Sequence, residues 1–502
     1  MSVYLDRMGE SLQDESLSHS PADQSAEEIP KTIAVQEGIK EILKECVELA
    51  RLGGPVVLSY FSQLLVFQLA LGYSGTLLGD TALAGASMGL MFSNCFGSSV
   101  IIGMANALDT LLFQVYGANP RSPLISVYVQ RALLVLIMCC LPLSVLWVFA
   151  GEFLLLTGQQ PEVVELAKVF IRWNLVNLFL GILYEVIRKL LTCIHNLNVV
   201  SLISITLTLL SPFLFKLFIG AFGIAGSVLT ISVFYVIMIS VCAFDLLIRY
   251  KQFAGLWHGP SRAALRHWKE FLALGLPSSL MLFLEWGLFE LNGIASGRFG
   301  EKALDTMSIC MQLLTVIYMV PLGLNVALCL RVGGAFGAKD LRGARRTVFA
   351  AGLVIACVIT VDALLIWATR YQVPLFFTKN AEIQQRYADV VPLIIFFHIF
   401  DAILCVCNGI IKGMGYPLYG TAFLALAYLF GVPVGWTLAF HRGMEVRGLW
   451  TGPAIGLCLA VCAYITFFLK LDWNGVIRKA TARIAHNSTA LDKKKAKSPE
   501  AL

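Results

Sequence analysis

Charge is scarce in this chain. Of its 502 residues only 14% are Asp, Glu, Lys or Arg, whereas 58% are hydrophobic and the mean hydropathy is +0.76. So little charge cannot cover the surface of a soluble protein of this size, which makes it an integral membrane protein. No Asp, Glu, Lys or Arg stands between Arg51 and Asp80, or between Asp80 and Asp109. Each gap exceeds the ~20 apolar residues that a membrane-spanning helix needs.

Other absences narrow the function. There is no Walker A motif, which argues against ATP hydrolysis in this chain. No nucleic-acid-binding motif accompanies the modest net charge of +6. The thirteen cysteines show neither zinc spacing nor an extracellular disulfide pattern, and read as small apolar packers. No nucleophile motif marks an enzyme. Residues 1–36 are polar and acidic, without the basic start and apolar core of a cleaved signal peptide. A disordered cytoplasmic leader is expected there, followed by an amphipathic helix, "EGIKEILKECVELAR", that runs into the first span.

What is present is an all-α pattern of about twelve transmembrane helices. Splitting the apolar runs at charges and turn residues places the first six at 53–76, 81–109, 129–151, 166–190, 197–220 and 223–248. The second six fall at 271–296, 304–330, 346–369, 388–411, 418–440 and 448–471. Basic residues gather after the even-numbered spans: Arg121 and Arg131; Arg188 and Lys189; the group from Arg249 to Lys269; the group from Arg331 to Arg346; Lys412; and the tail. By the positive-inside rule both termini are expected in the cytoplasm. The plasma membrane is the expected location, with an intracellular membrane as the alternative. The sequon at Asn487 would then escape glycosylation.

The long connection 249–270 divides the spans six and six, and an internal repeat supports the division. "LLFQVYGANPR" (111–121) resembles "LCLRVGGAFGAKD" (328–340), and two further pairs of segments share offsets of 217–222 residues. Because six is even, the halves share one orientation. The expected architecture is two pseudo-symmetric six-helix bundles around a central cavity, an N-lobe (37–248) and a C-lobe (271–472), with a basic tail (473–502). Rocking transporters use such symmetry.

The motifs resemble the multidrug and toxin extrusion family, in its eukaryotic branch. "MANALDTLLFQVYGA" (104–118), "LEWGLFE" (284–290), "IYMVPLGLNVALCLRVGGAFGAKD" (317–340), "GIIKGMGYP" (409–417), "GVPVGWTLAF" (431–440) and "GLWTG" (448–452) match in order over about 50–470. The resemblance implies a monomeric antiporter whose lobes alternate outward and inward while it expels small organic, often cationic, compounds. The coupling ion it implies is the proton, with sodium as the alternative and no other cofactor. A flippase of lipid-linked sugars within the same superfamily is the runner-up. Its cavity should be strongly cationic, whereas the second lobe's intramembrane charges here are mostly acidic.

Glu285 and Glu290 stand inside an otherwise apolar span. Five residues turn a helix by about 140° and advance it by about 7.5 Å, so the two cannot both aim at one small ligand. Trp286 lies four residues before Glu290, and Phe289 four after Glu285, giving each acid an aromatic on its own face. A carboxylate beside a ring face suits an organic cation, and a carboxylate in low dielectric takes up protons nearer neutral pH. A proton and a cation competing for one carboxylate exchange without further machinery.

Asp401, mid-span in the tenth helix, matches an acidic site of the family and joins the expected C-lobe network. His398, three residues earlier, shares its face and reads as an interior hydrogen-bonded histidine rather than a proton carrier. Gln312 and Tyr318 are candidate cavity polars; some vertebrate relatives carry an acid where Gln312 stands. The first span has no acid, so prokaryotic members that couple through an aspartate there are not its pattern. The first-lobe candidates are Tyr60, Gln63, Gln68 and, best matched to a family cavity asparagine, Asn94. Asp109 reads as structural, with Arg131 its expected partner.

Overall fold

A computed structural model of the chain describes residues 31–156, 158–248, 257 and 259–495. Most of the expected leader, 1–30, and part of the connection, 249–256 and 258, lie outside the described residues. So does the end of the tail from 496.

Twelve helices among the described residues are long and apolar enough to cross a membrane. They are α1 (Lys31–Leu78), α2 (Asp80–Ala118), α3 (Leu124–Val148), α4 (Pro161–Cys193), α5 (Leu197–Phe222) and α6 (Ile224–Ile248), then α7 (Trp268–Gly297), α8 (Glu301–Gly337), α9 (Leu341–Ala368), α10 (Ala381–Met414), α11 (Pro417–His441) and α12 (Glu445–Lys470). A thirteenth, α13 (Trp473–Lys495), follows. Large apolar side chains stand fully outward, such as Leu209 at 79% and Leu469 at 82% exposure. Water would penalise that arrangement; a bilayer accepts it.

The charge-free runs become helices because only an internally hydrogen-bonded backbone is tolerated in lipid. Their ends carry local signals. Asp340 caps α9 by accepting from the Gly343 N–H at 2.8 Å. Asn380 caps α10 by accepting from the Glu382 N–H at 3.0 Å. Gly415, at φ +82°, ends α10 in the left-handed region that glycine adopts freely.

An even number of spans puts residue 31 and α13 at one end of the bundle, the terminal face. The lobes meet there through α1 and α2 on one side and α7, α8 and α9 on the other. Helix α1 packs on α8 as α7 packs on α2, the exchange expected of a twofold relation. Two glycine contacts carry the same symmetry. A Cβ on Gly117 would lie 2.1 Å from the Gly334 carbonyl oxygen, and one on Gly337 would lie 1.9 Å from that of Gln114. The offset from Gly117 to Gly337 equals that from Gln114 to Gly334, 220 residues, so the repeat exchanges one contact for the other.

Helix α1, with 48 residues, is about 72 Å long against a hydrocarbon core of about 30 Å. Its first turns therefore overhang the terminal face and reach the second lobe. There Arg331 donates to both carboxylate oxygens of Glu45 at 2.8 and 2.7 Å, and Thr347 donates to Glu45 at 2.8 Å. Arg346 pairs with Glu41. Helix α13 contacts α2, α8 and α9, and its Arg483 reaches Gln114 at 3.2 Å and Glu270 at 3.5 Å. Asn487 of the sequon donates to Glu270 at 2.9 Å. The tail is thus an ordered brace over its described part, and the terminal face is closed.

Several basic residues expected in connections are not there. Arg131, Arg188, Lys189 and Lys412 are buried inside α3, α4 and α10. They sit close enough to helix ends to look like loop charges in sequence, but each has a polar or ring partner within the bundle. Asp109 pairs with Lys189 at 2.5 Å, not with Arg131. Arg131 instead lies over the Tyr128 ring and donates to the Ala263 carbonyl at 3.3 Å. Helix α2 packs directly on α4, which is what brings Lys189 within reach.

Candidate functional site

The seventh helix contains Pro277, two turns before Glu285, and a proline there removes one hydrogen bond of the helix. The Pro277 carbonyl accepts from Thr421 at 2.6 Å, which ties this point of α7 to α11. Past it, Glu285 turns into the C-lobe and is buried to 7% exposure. It accepts a hydrogen bond from the Tyr318 hydroxyl at 3.1 Å. Tyr318 occupies the joint between the two segments of α8, Glu301–Ile317 and Met319–Gly337. Across from them, Asp401 is buried at 6% exposure on α10 and is near enough to Glu285 to act on it electrostatically. Tyr428 lies within the field of both acids.

Neither Glu285 nor Asp401 has a basic partner within ion-pair distance among the described residues. That differs from the N-lobe. There Glu185 and Arg188 pair at 2.5 Å, both buried, and Arg188 also donates to Tyr60 at 2.7 Å while lying over its ring. Asp109 and Lys189 form the second buried pair, with Asn106 accepting from Lys189 at 2.8 Å. In each of these two N-lobe pairs a buried acid is neutralised by a buried base. The C-lobe keeps an excess of carboxylate.

The candidates divide accordingly. Glu285, Tyr318 and Asp401 come together. Glu290 is partly buried, and its charge reaches Cys95 of the other lobe, the neighbour of Asn94. Asn94 opens a π turn, Asn94–Ser98, in which Phe96 leaves helical geometry. The Phe96 carbonyl accepts from the Trp147 indole at 3.0 Å, which stabilises the irregular turn, and the Phe96 ring lies 5.9 Å from that of Phe283 across the lobe boundary. Trp286 and Gln312 are partly buried. Phe289 does not offer a face to Glu285; its ring packs at 6.1 Å on Phe397 and 6.4 Å on Trp450. His398 turns away from Asp401, placing Nε2 3.1 Å from Asp362 on α9.

Sequence reasoning missed three features. The Glu185–Arg188 pair carried a signal, an acid and a base at i and i+3 deep in a span. Asp362 carried another, as a lone acid in a long apolar run. Lys412 and Asn325, bonded at 2.9 Å, had none that local spacing could supply, since they lie 87 residues apart.

The MatE family signature matches residues 55–217 and 277–437, one stretch in each lobe. Multidrug and toxin extrusion protein 1 of Danio rerio is 33% identical over 453 residues, covering 88% of this chain and 74% of the relative. Multidrug and toxin extrusion protein 2 of Homo sapiens is 31% identical over 460 residues, covering 84% and 76%. The crystal structure of the eukaryotic MATE transporter AtDTX14 superposes with a TM-score of 0.83 at 25% identity, over 88% of this chain and 99% of that one. With two matched halves, a twofold seam between them and an excess of buried carboxylate in one lobe, the chain belongs to the MATE family of multidrug and toxin extrusion transporters.

Proposed function

We propose that this transporter exports organic cations in exchange for protons moving inward. It would act as a monomer in the plasma membrane with its terminal face in the cytoplasm. One observation supports the reading above all: Glu285 and Asp401 are buried together without a basic ion-pair partner, while every buried acid–base pair of the N-lobe is complete. Intramembrane carboxylates left in that state are costly and mark ion or substrate paths. A proton or an organic cation satisfies the same deficit, so each displaces the other. Tyr318 holds Glu285 in place for either occupant. With the terminal face closed, the site in this structure is excluded from that side, and rocking of the lobes about the glycine seam would expose it there.

The test is exchange in proteoliposomes. Purified protein should move a fluorescent organic cation when a proton gradient is imposed and not when a sodium gradient is. Glu285→Gln should stop that movement while the protein still folds and inserts. Movement driven by sodium alone would reassign the coupling ion; retained exchange in the variant would overturn the role of Glu285.

A further inference from the structure

Four residues of α10, Asp401, Cys405, Asn408 and Lys412, recur at intervals of four, three and four. That spacing puts them on one face of the helix, and all four are buried. Helical side chains lean toward the N-terminus, so Lys412 reaches back up this face. Its ammonium donates to Asn325 Oδ1 at 2.9 Å, and the Asn325 amide donates to the Cys405 carbonyl. Asn325 thereby links the cation to the Cys405 carbonyl, one turn along α10 from Asp401. The lysine charge acts on Glu285.

The N-lobe contains the same device with one difference. Lys189, near the end of the fourth span, donates to Asn106 of the second, as Lys412 of the tenth donates to Asn325 of the eighth. Three residues after Asn106 stands Asp109, which neutralises Lys189. Three residues after Asn325 stands Leu328. Lys412 therefore has no carboxylate within ion-pair distance among the described residues. The charged groups around it are Glu285, on which it acts directly, Asp401, which shares with it the neighbour Cys405, and Asp109 and Lys189, which share with it the neighbour Cys329.

We propose that Lys412 is a fixed internal counter-charge that sets how many positive charges the C-lobe site accepts, and so selects monovalent over divalent cations. With both acids ionised, Glu285, Asp401 and Lys412 carry one net negative charge, which one monocation or one proton neutralises. Without the lysine charge the deficit is two. This inference rests on the cation-exchange reading above, and deepens it. Lys412 is a specificity-determining residue acting through the field it lays on Glu285 and through the net charge of the site.

The test compares hexyltrimethylammonium with hexamethonium, which share a six-carbon chain but carry one and two charges. Both are followed by radiolabel uptake into acid-loaded proteoliposomes. In Lys412→Gln the ratio of kcat/KM for dication over monocation should rise by about tenfold or more, the order expected from removing a unit charge several ångströms away at intermediate dielectric. Lys412→Arg should keep the wild-type ratio. Asn325→Asp, nearly isosteric, gives Lys412 the partner that Lys189 has, and should shift the ratio in the same direction as Lys412→Gln. An unchanged ratio in Lys412→Gln and Asn325→Asp overturns the proposal, as does an equal shift in Lys412→Arg. If neither of the two shifting variants folds, Lys412 serves packing and the proposal fails. Wild-type protein that moves neither cation under a proton or a sodium gradient would instead remove the cation-exchange reading, and this inference with it.

Discussion

The Tyr318 hydroxyl donates to Glu285 at 3.1 Å across the joint that divides α8. The bond ties the seventh helix to the eighth at a depth where the acid has no basic partner. A hydrogen bond to a charged group contributes about 1.5–3 kcal/mol. Tyr318→Phe should therefore weaken cation binding by about tenfold or more while leaving the fold intact. Equilibrium binding of the transported cation to purified protein checks this; unchanged affinity would separate Tyr318 from the site.

Glu285 and Glu290 should behave differently. Glu285 lies with Tyr318 and Asp401, whereas the charge of Glu290 reaches Cys95 in the opposite lobe. Glu285→Gln should abolish proton-driven exchange, and Glu290→Gln should leave it working with altered KM. Initial rates over a range of substrate concentrations distinguish the two, and equal losses in both would contradict the geometry.

The Asp109–Lys189 pair is predicted to serve stability. Removing one partner of a buried pair costs about 3–5 kcal/mol, because the other is left charged and unpaired. Asp109→Asn should lower the thermal midpoint of the detergent-solubilised protein markedly. Adding Lys189→Met should recover part of the loss. A double variant no more stable than the single one would argue against charge as the cause.

The closed terminal face depends on Glu45, which holds Arg331 and Thr347 at once. Glu45→Ala should loosen that face and expose Cys329, which is 1% exposed here. Alkylation of Cys329 by a small thiol reagent, read by peptide mass spectrometry, should accelerate several-fold against the lipid-facing Cys357 as internal reference. No acceleration would place the closure elsewhere.

The glycine seam makes a complementary prediction. A side chain at Gly117 would collide with the Gly334 carbonyl, whose backbone cannot yield as a flexible side chain would. Gly117→Val should keep the protein inserted yet prevent the lobes from closing at the terminal face. Transport should fall to background while Cys329 becomes reactive even with Glu45 present.

Hydropathy and composition alone determined that the chain lies in a membrane and where its twelve spans fall, and matched segments at a constant offset showed that its halves repeat. These are local or periodic properties, because a lipid-exposed backbone must be helical and a helix must be long enough to cross. Glu285 and Asp401 were legible for a related reason: a carboxylate inside an apolar run is expensive enough to stand out. Their freedom from basic partners was not legible, nor was the choice of Lys189 by Asp109 or of Asp362 by His398. Those pairings join helices whose contacts are set by packing across the lobe, and sequence spacing along one helix carries no information about which neighbour lies alongside. For the same reason Arg188, Lys189 and Lys412 looked like loop charges until the bundle enclosed them. Sequence placed the acids in the membrane; tertiary packing decided which of them would stay unpaired there.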